Sequence, residues 1–315
     1  MQKKIIAIAG ATGAQGGGLA RAILSDPDSE FAVRALARNP NSANARQLAG
    51  LGAEVVAADL DDFESVKRAY QGAHGAFCVT FFWEHLSAEK ETTQALGMAQ
   101  AARAAGVKHV IWSTFEDTRR WIPLTDDRMP TLHGKYKVVH FDAKAEADQH
   151  FRDLGVPTTF LLTSFYWDNL IHFGMGPKPG PDGRLQFVLP MGEKKLPGIG
   201  AEDIGKCAHG LFKRGPEFIG KTVGIAGEHL TGAQMAAALS KALGQEVFYS
   251  AVPPDVYRSF GFPGAEEMGN MFQFKADFEK VYCGARDVAL SRALNPQLQT
   301  FEQWLAANKD RIPPG

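Results

Sequence analysis

The stretch IAIAGATGAQGGGLARAIL, residues 6–24, places a run of glycines between a short apolar segment and a helical pattern. Gly10, Gly13 and Gly16 follow a G-x-x-G-x-x-G spacing. Glycine lets the backbone turn tightly there and approach a pyrophosphate, whose charge the next helix N-terminus stabilises. At the first junction of a strand with a helix, the pattern predicts a dinucleotide-binding loop. The other loop residues expected to bind the cofactor are Thr12, Ala14 and Gln15.

Short runs rich in Ile and Val alternate with helical patterns over the first half of the chain. This alternation is typical of βαβ units around a buried parallel sheet. The apolar runs predict six strands, at 4–9, 31–37, 54–58, 75–80, 109–113 and 158–162. The helical spacing predicts helices near 16–25, 63–70, 87–105 and 138–154.

The pattern loosens after the sixth strand into a Pro- and Gly-rich stretch, followed by helix, strand, helix and strand. The predicted fold is therefore an α/β Rossmann-type doubly wound parallel sheet with a second, smaller α/β domain. We place the Rossmann domain at residues 1–157 and the smaller portion at 158–315, from which later segments can return to the main sheet. The connection 116–136 is long for a compact domain, which predicts a lid, a binding loop or an interface.

Composition excludes some classes of function. Lys plus Arg (34) nearly balances Asp plus Glu (35), so the overall charge favours no nucleic acid. The first apolar run is too short for a signal segment or a membrane span. Cys78, Cys207 and Cys283 lie far apart, as in a reducing compartment, and the nine histidines show no metal-ligand spacing. We expect a cytoplasmic protein with no metal and no direct contact with nucleic acid or membrane.

The ends of the second and third strands suggest which dinucleotide is bound. ALARNPNS puts Arg38 where NAD-specific proteins carry an acid, and we expect no carboxylate beside it to repel a phosphate. Arginine can pair with a 2′-phosphate, which predicts NADP, with NAD bound more weakly and Asn39 in the same site. A solvated arginine is the alternative. In VVAADLDD, Asp59 and Leu60 are expected to border the adenine, although Asp59 could instead cap the next helix.

Several segments together resemble the NmrA-like family, atypical members of the short-chain dehydrogenase/reductase superfamily. The resemblance extends over nearly the whole chain and rests on GATGAQGG, ARNP, GAEVVAADLDD, TFFWE, HFDAKAE, FRDLGVP, YWDNL and the late FGFPGAEEMGNMF. It implies a nucleotide-binding domain and a smaller α/β domain that forms the other wall of a cleft. It also implies that Thr80, Phe81 and Phe82, after the fourth strand, line the dinucleotide.

The helix predicted at 138–154 is where the superfamily's reductases carry Tyr-x-x-x-Lys, with the tyrosine as proton donor. No such pair occurs in this sequence, and His140 stands four residues before Lys144. Histidine can act as an acid near neutral pH, but its ring reaches less far than a phenol, so we expect His140 to pack or orient. We expect Lys144 to bond the nicotinamide ribose, with a solvated lysine and a catalytic base as alternatives. The catalytic residue stays open between these two candidates.

Polar and aromatic side chains also follow the fifth and sixth strands. Ser113 and Thr114 stand where the superfamily has a substrate-orienting hydroxyl, although capping of the backbone is an equal alternative. TSFYWDNL is expected to bring Phe165, Tyr166 and Asn169 to the carboxyl edge of the sheet, beside the cofactor. Packing within a domain core is the alternative for the two aromatic rings.

Two classes of function follow. The resemblance and the missing tyrosine favour an NADP-binding redox sensor or regulator that acts through protein partners, which read a cofactor-dependent conformation. The alternative is an NADPH-dependent reductase of quinones or other small carbonyl compounds, which would take its proton from water or Lys144. Assembly as a homodimer is compatible with both.

Overall fold

The computed structural model describes residues 2–313, and the chain divides into two compact units. Unit 1 comprises the residues up to Asp117, His140–Thr163 and Ala201–Val223. Unit 2 comprises Thr118–Val139, Ser164–Gly200 and the residues from Gly224 onward. Each unit is thus assembled from separate segments of the chain, and the division at residue 157 stays a prediction.

The strands of the described residues are β1 (Lys4–Ile8), β2 (Phe31–Ala37), β3 (Glu54–Ala57), β4 (Gly75–Cys78), β5 (His109–Thr114), β6 (Thr158–Leu162), β7 (Phe165–Tyr166), β8 (Lys178–Pro179), β9 (Leu185–Val188), β10 (Lys195–Ile199), β11 (Thr222–Gly224), β12 (Glu228–Thr231) and β13 (Val247–Ser250). The first six confirm the predicted strands to within two residues at either end. Short 3-10 helices occur at Thr118–Arg120, Gly215–Glu217 and Lys309–Arg311.

The α-helices of the described residues are α1 (Ala14–Ser25), α2 (Ala43–Gly50), α3 (Phe63–Tyr70), α4 (Phe82–His85), α5 (Ala88–Ala105), α6 (Val139–Asp153), α7 (Asn169–His172), α8 (Ala201–Arg214), α9 (Gly232–Leu243), α10 (Pro254–Arg258), α11 (Ala265–Asp277), α12 (Glu279–Gly284), α13 (Val288–Leu294) and α14 (Phe301–Asn308). The four helices predicted in the first half are confirmed as α1, α3, α5 and α6. Helix α2 was not predicted, because it buries only Ala45 and Leu48 and so has a weak apolar pattern.

The main sheet confirms the predicted Rossmann-type fold. Among the described residues its strands lie in the order β11, β6, β5, β4, β1, β2, β3. All neighbouring strands among β1 to β6 pair in parallel. The strand order reverses between β1 and β4, and ligands of doubly wound sheets bind at such a switch point. The strand β11 shows that a late segment does return to this sheet.

Helix α8 packs on the glycine-rich helix α1 within unit 1. The residues of contact are small: a Cβ on Gly205 would overlap the backbone of Gly18 and Leu19. The sequence pattern assigned α8 to the smaller portion, but the structure places it in the unit that carries the main sheet. The glycines after the predicted loop therefore have a packing role, because only a side chain of one hydrogen lets these helices approach so closely.

Unit 2 contains two small sheets of described residues, in the orders β12, β10, β7 and β13, β9, β8. Its core includes Trp167, whose ring lies 5.3 Å from that of Phe301 and 6.3 Å from that of Trp304, centroid to centroid. A Cβ on Gly198 would overlap the indole nitrogen of Trp167, so β10 passes directly over this ring.

The segment 118–139, which contains most of the predicted lid, is fastened to α11 within unit 2. The Asn270 side chain donates to the carbonyl oxygens of Pro130 at 2.9 Å and Lys137 at 2.6 Å. The Gln273 side chain donates to another carbonyl of the same segment at 2.8 Å. The late motif FGFPGAEEMGNMF thus has a structural role, since its helix holds a long connection in place. Movement of this segment on cofactor binding stays a prediction.

Candidate cofactor site

The glycine loop joins β1 to α1 at the switch point of the sheet. Gly10 has a φ of +62°, and its carbonyl oxygen accepts a hydrogen bond from the Gly13 N–H at 2.9 Å. A Cβ on Gly16 would lie 2.5 Å from that same oxygen. Gly13 caps α1 without a side chain, and the first turn of this helix carries no acidic residue. The loop therefore leaves backbone N–H groups and the positive end of α1 facing a space that suits a pyrophosphate.

A residue of helix α2 holds the middle of the glycine loop. The Asn44 side chain, in the first turn of α2, donates to the Thr12 carbonyl oxygen at 3.2 Å. Ala14 and Gln15 form the first turn of α1, directly after the loop. Sequence reasoning missed Asn44, because the helix that carries it was itself not predicted.

The predicted nucleotide-binding residues of unit 1 come together at one edge of the sheet. Carboxyl ends of parallel strands meet at the same edge, and β4, β1, β2 and β3 are neighbours. The residues that follow these strands are Arg38 and Asn39 after β2, Asp59 and Leu60 after β3, and Thr80, Phe81 and Phe82 after β4.

Arg38 is paired with a carboxylate that the local sequence did not reveal. Its Nη1 lies 2.5 Å from Oε1 of Glu84 on α4. The hydrogen bond to Glu84 raises the pKa of Arg38, and the negative charges of Asp59 and Asp61 act in the same direction. Both partners are open to solvent, with 66% of the Arg38 side chain and 47% of the Glu84 side chain exposed. The expectation that no carboxylate stands beside Arg38 was wrong for the folded chain.

Asn39 and Asp59 shape the turns in which they lie. The Asn39 side-chain oxygen accepts from the Asn41 N–H at 2.9 Å, and the Asp59 carboxylate accepts from the Asp61 N–H at 3.0 Å. Helix α3 is capped by Asp62, so the alternative that Asp59 caps it was wrong. Asp59 is exposed two residues after the end of β3, and its contact with an adenine stays a prediction.

Lys144 lies in a buried ion pair. Its Nζ is 2.9 Å from Oε2 of Glu91 on α5, and the carboxylate of Glu91 is fully buried. The Thr80 hydroxyl donates to the same carboxylate oxygen at 2.7 Å and accepts from the Lys144 ammonium, which also lies 3.3 Å from the Thr80 carbonyl oxygen. An ammonium has three hydrogens. A ribose hydroxyl would therefore have to replace one of these partners, and the ribose contact stays a prediction.

His85 completes the surroundings of this buried carboxylate. Its Nδ1 accepts a hydrogen bond from the Ser87 N–H at 3.0 Å, so the neutral ring carries its proton on Nε2. That nitrogen lies 3.5 Å from Oε1 of Glu91. Burial lowers the pKa of His85, while the negative charge of Glu91 opposes the shift. The neutral ring therefore lies near the second oxygen of the buried carboxylate without forming a hydrogen bond to it.

His140 lies among aromatic rings at the start of α6. Its ring centroid is 5.6 Å from that of Phe82, 5.2 Å from that of Trp83 and 4.7 Å from that of Phe141. This environment supports the expectation of a packing residue. Tyr136 precedes the helix and takes part in a backbone bridge with Leu132.

The remaining predicted residues belong to unit 2 or are buried at the end of β5. Phe165 and Tyr166 form β7 and Asn169 opens α7, all in unit 2, where the two aromatic residues pair with β10. Their contact with a cofactor stays a prediction. Ser113 and Thr114 are buried at the end of β5, and the Thr114 hydroxyl donates to the Phe115 carbonyl oxygen at 3.4 Å. The latter contact favours the backbone-capping alternative for Thr114.

The three cysteines are buried or partly buried. Burial raises the pKa of Cys78 to about 12 and that of Cys283 to about 11, and it also raises the pKa of Cys207. These groups are therefore thiols at neutral pH, which makes them poor nucleophiles. Within residues 2–313 no cluster of three or more His, Cys, Asp or Glu side chains could hold a metal ion. In the same residues no helix is long and apolar enough to cross a membrane.

The reversed strand order, the glycine loop and the polar strand ends define a Rossmann-type α/β protein with a dinucleotide site. The profile of the NmrA-like family matches residues 2–305. The chain belongs to the NmrA-like family, as its sequence motifs predicted.

Known proteins of this family are similar over most of their length. An NmrA-like family domain-containing oxidoreductase, FrzB from Cladobotryum sp., is 30% identical over 86% of this chain and 83% of its own. An NmrA-like family domain-containing protein from Dictyostelium discoideum is 27% identical over 97% of each chain. The crystal structure of NmrA, a negative transcriptional regulator, in complex with NADP superposes with a TM-score of 0.79 at 24% identity, covering 97% of this chain and 95% of NmrA. NmrA has also been crystallised with NAD at the same level of similarity.

Proposed function

We propose that this chain is an NADP(H)-binding regulator whose cofactor occupancy is read by protein partners. The observation that carries the proposal is the glycine loop at the switch point, with Arg38 beside it on the same edge of the sheet. The loop N–H groups and the positive end of α1 bind the pyrophosphate, and the guanidinium of Arg38 binds the 2′-phosphate. NmrA, which is crystallised with both NADP and NAD, supports this choice of cofactor.

A regulatory role is supported by the surroundings of the two candidate catalytic residues. Lys144 is buried against Glu91 and Thr80, and His140 is packed among aromatic rings. Neither arrangement supplies the tyrosine hydroxyl with which the superfamily's reductases protonate their product. The thiols are protonated, so the redox state of the cell would reach this chain through the bound dinucleotide. A relative described as a negative transcriptional regulator favours the same interpretation.

A reductase is the second candidate, because FrzB and other relatives are named oxidoreductases. NADPH would supply the hydride when bound. In this candidate, the proton that the missing tyrosine would donate comes from the Lys144 ammonium or from water. This candidate requires a steady consumption of NADPH that depends on an added acceptor.

The proposal is tested by binding and turnover measured on the same protein. Calorimetric titration is expected to show that NADP binds about tenfold more tightly than NAD, the scale of one hydrogen bond between charged groups. Gly16→Ala should abolish the binding of both dinucleotides, because its Cβ would lie 2.5 Å from the Gly10 carbonyl oxygen. Gly97→Ala is the matched control, since a Cβ there meets nothing within 4 Å.

A turnover assay on the same protein decides between the two candidates. NADPH oxidation is followed in the presence of a panel of quinones and small carbonyl compounds. A regulator is expected to show no acceptor-dependent oxidation above the rate without protein. Sustained turnover with any acceptor would replace the regulator by the reductase. Equal dinucleotide binding by the wild type and Gly16→Ala would show that the glycine loop is not the dinucleotide site.

A further inference from the structure

The ion pair between Arg38 and Glu84 stands where the proposed 2′-phosphate site needs an available guanidinium. Within residues 2–313 the pair is monodentate: one nitrogen of the guanidinium, Nη1, donates to one carboxylate oxygen at 2.5 Å. Asp59 and Asp61 add negative charge to the same surroundings. A phosphate group that arrives at Arg38 therefore meets a cation already engaged by a carboxylate and flanked by two others.

NADP and NAD differ at this position only in the 2′-phosphate. An NAD molecule brings a neutral hydroxyl, which can bind beside Arg38 while its pair with Glu84 stays closed. An NADP molecule brings about −1.5 to −2 charges, so it must either displace the Glu84 carboxylate or remain close to it. Both outcomes oppose NADP and leave NAD unaffected, because like charges repel and an ion pair is lost.

We propose that Glu84 is a specificity-determining residue that competes with the 2′-phosphate for Arg38 and so limits the preference for NADP over NAD. The proposal rests on the assignment of Arg38 to the 2′-phosphate in the proposed function. Glu84 acts through Arg38 and not on the dinucleotide as a whole, so the rest of the cofactor site is unchanged by its removal.

Glu84 shares its short helix with an aromatic residue of unit 1. It lies on α4 between Trp83 and His85, and the Trp83 ring is 5.2 Å from that of His140 on α6. Displacement of Glu84 from Arg38 would loosen a helix of four residues that carries this indole. NADP would then change the surroundings of Trp83, while NAD would leave α4 in place, which gives a regulator a means of telling the two dinucleotides apart.

The test is a double-mutant cycle followed by calorimetry with NADP and NAD. Glu84→Gln is expected to tighten NADP binding roughly two- to fivefold, the measured worth of an exposed ion pair, with NAD binding unchanged. In the Arg38→Met background the same substitution should have a smaller effect on NADP, because only the repulsion between Glu84 and the phosphate remains there. The gain should shrink as salt is raised, because both charges are exposed. Glu89→Gln, an exposed carboxylate on the next helix, controls for the change of net charge.

The outcomes of this cycle distinguish a failure of the proposed competition from a failure of the proposed 2′-phosphate site. The competition is overturned if Glu84→Gln leaves the ratio of NADP to NAD affinity unchanged, shifts it no more than Glu89→Gln does, or shifts it equally in the Arg38→Met background. An Arg38→Met variant that keeps the wild-type ratio would show that the 2′-phosphate lies elsewhere, which overturns the proposed site together with this inference. A change in Trp83 fluorescence on adding NADP but not NAD, lost in Glu84→Gln, is the expected optical signature.

Discussion

Two cations of unit 1 are each paired with a glutamate from the segment that follows β4, yet their surroundings differ. Arg38 meets Glu84 at the surface, where both side chains are about half exposed or more. Lys144 meets Glu91 in the interior, where the carboxylate is fully buried and the Thr80 hydroxyl bonds both partners. Water can replace either partner of the first pair, but neither partner of the second.

The difference indicates which pair can respond to a ligand. An exposed ion pair contributes roughly 0.2 to 1 kcal/mol, so a phosphate can compete for its cation. A buried pair resists such exchange, because removal of one partner leaves a charge in a medium of low dielectric constant. We therefore expect Arg38 to determine the choice of cofactor and Lys144 to determine whether unit 1 stays folded.

The largest effect is expected from Lys144→Met, which leaves the Glu91 carboxylate buried without its cation. The free energy of unfolding should fall by about 3 to 5 kcal/mol, measured by urea denaturation. Arg38→Met should change it by less than about 1 kcal/mol. A double variant, Lys144→Met with Glu91→Leu, should recover most of the loss, because no buried charge remains.

The double variant also isolates the predicted ribose contact of Lys144. If the ammonium bonds the nicotinamide ribose, the folded double variant should bind NADP about tenfold more weakly than wild type. Equal affinity would show that the lysine serves only the ion pair. A Lys144→Met variant as stable as wild type would contradict the structural role.

The next effect concerns the buried imidazole of His109. Burial lowers the pKa of His109 to about 4, and its Nε2 lies 2.8 Å from the Thr159 hydroxyl. Between pH 6.5 and pH 4 the unfolded chain therefore binds a proton that the folded chain does not, so stability falls as the pH is lowered. From pH 7 to pH 5 the loss should be roughly 2 kcal/mol for this group.

Urea denaturation at the two pH values checks this, with His109→Gln as the comparison. The variant should lose less stability on acidification than wild type, although His209, whose pKa is also lowered to about 4 by burial, continues to contribute. Identical pH dependence in the two proteins would mean that His109 is charged in the folded state or protonates without cost.

Arg38→Met tests the exposed side of the comparison. Loss of a charge-assisted bond to the 2′-phosphate should weaken NADP binding by about 1.5 kcal/mol, near tenfold, with NAD affinity unchanged. Calorimetry with both dinucleotides measures it, and an equal loss for NAD would show that Arg38 does not discriminate between them.

The smallest effect is expected from His140→Phe. Its ring is surrounded by aromatic side chains, so phenylalanine should preserve the packing and change NADP affinity by less than about twofold. Should the protein reduce an acceptor, a rate that falls by ~10² in this variant would identify His140 as the proton donor. That result would contradict its role as a packing residue.

Local sequence patterns were sufficient to predict the strands and helices at the edge of the main sheet where the cofactor site is proposed. The glycine spacing between β1 and α1, the apolar runs of β1 to β6 and the position of Arg38 after β2 are all properties of short segments. Such signals depend on backbone sterics and on periodic burial, which a few neighbouring residues determine. These signals predicted the fold and the position of the candidate residues of unit 1 at one edge of the sheet.

The partners of those residues were decided by tertiary structure alone. Glu84 lies 46 residues from Arg38, and no pattern in ARNPNS or TFFWE indicates that they meet. The sequence likewise did not reveal that Glu91 would hold Lys144, or that Asn270 would fasten the long connection. A charge or an amide finds its partner through the packing of whole helices and strands, so its state depends on distances that no single segment contains.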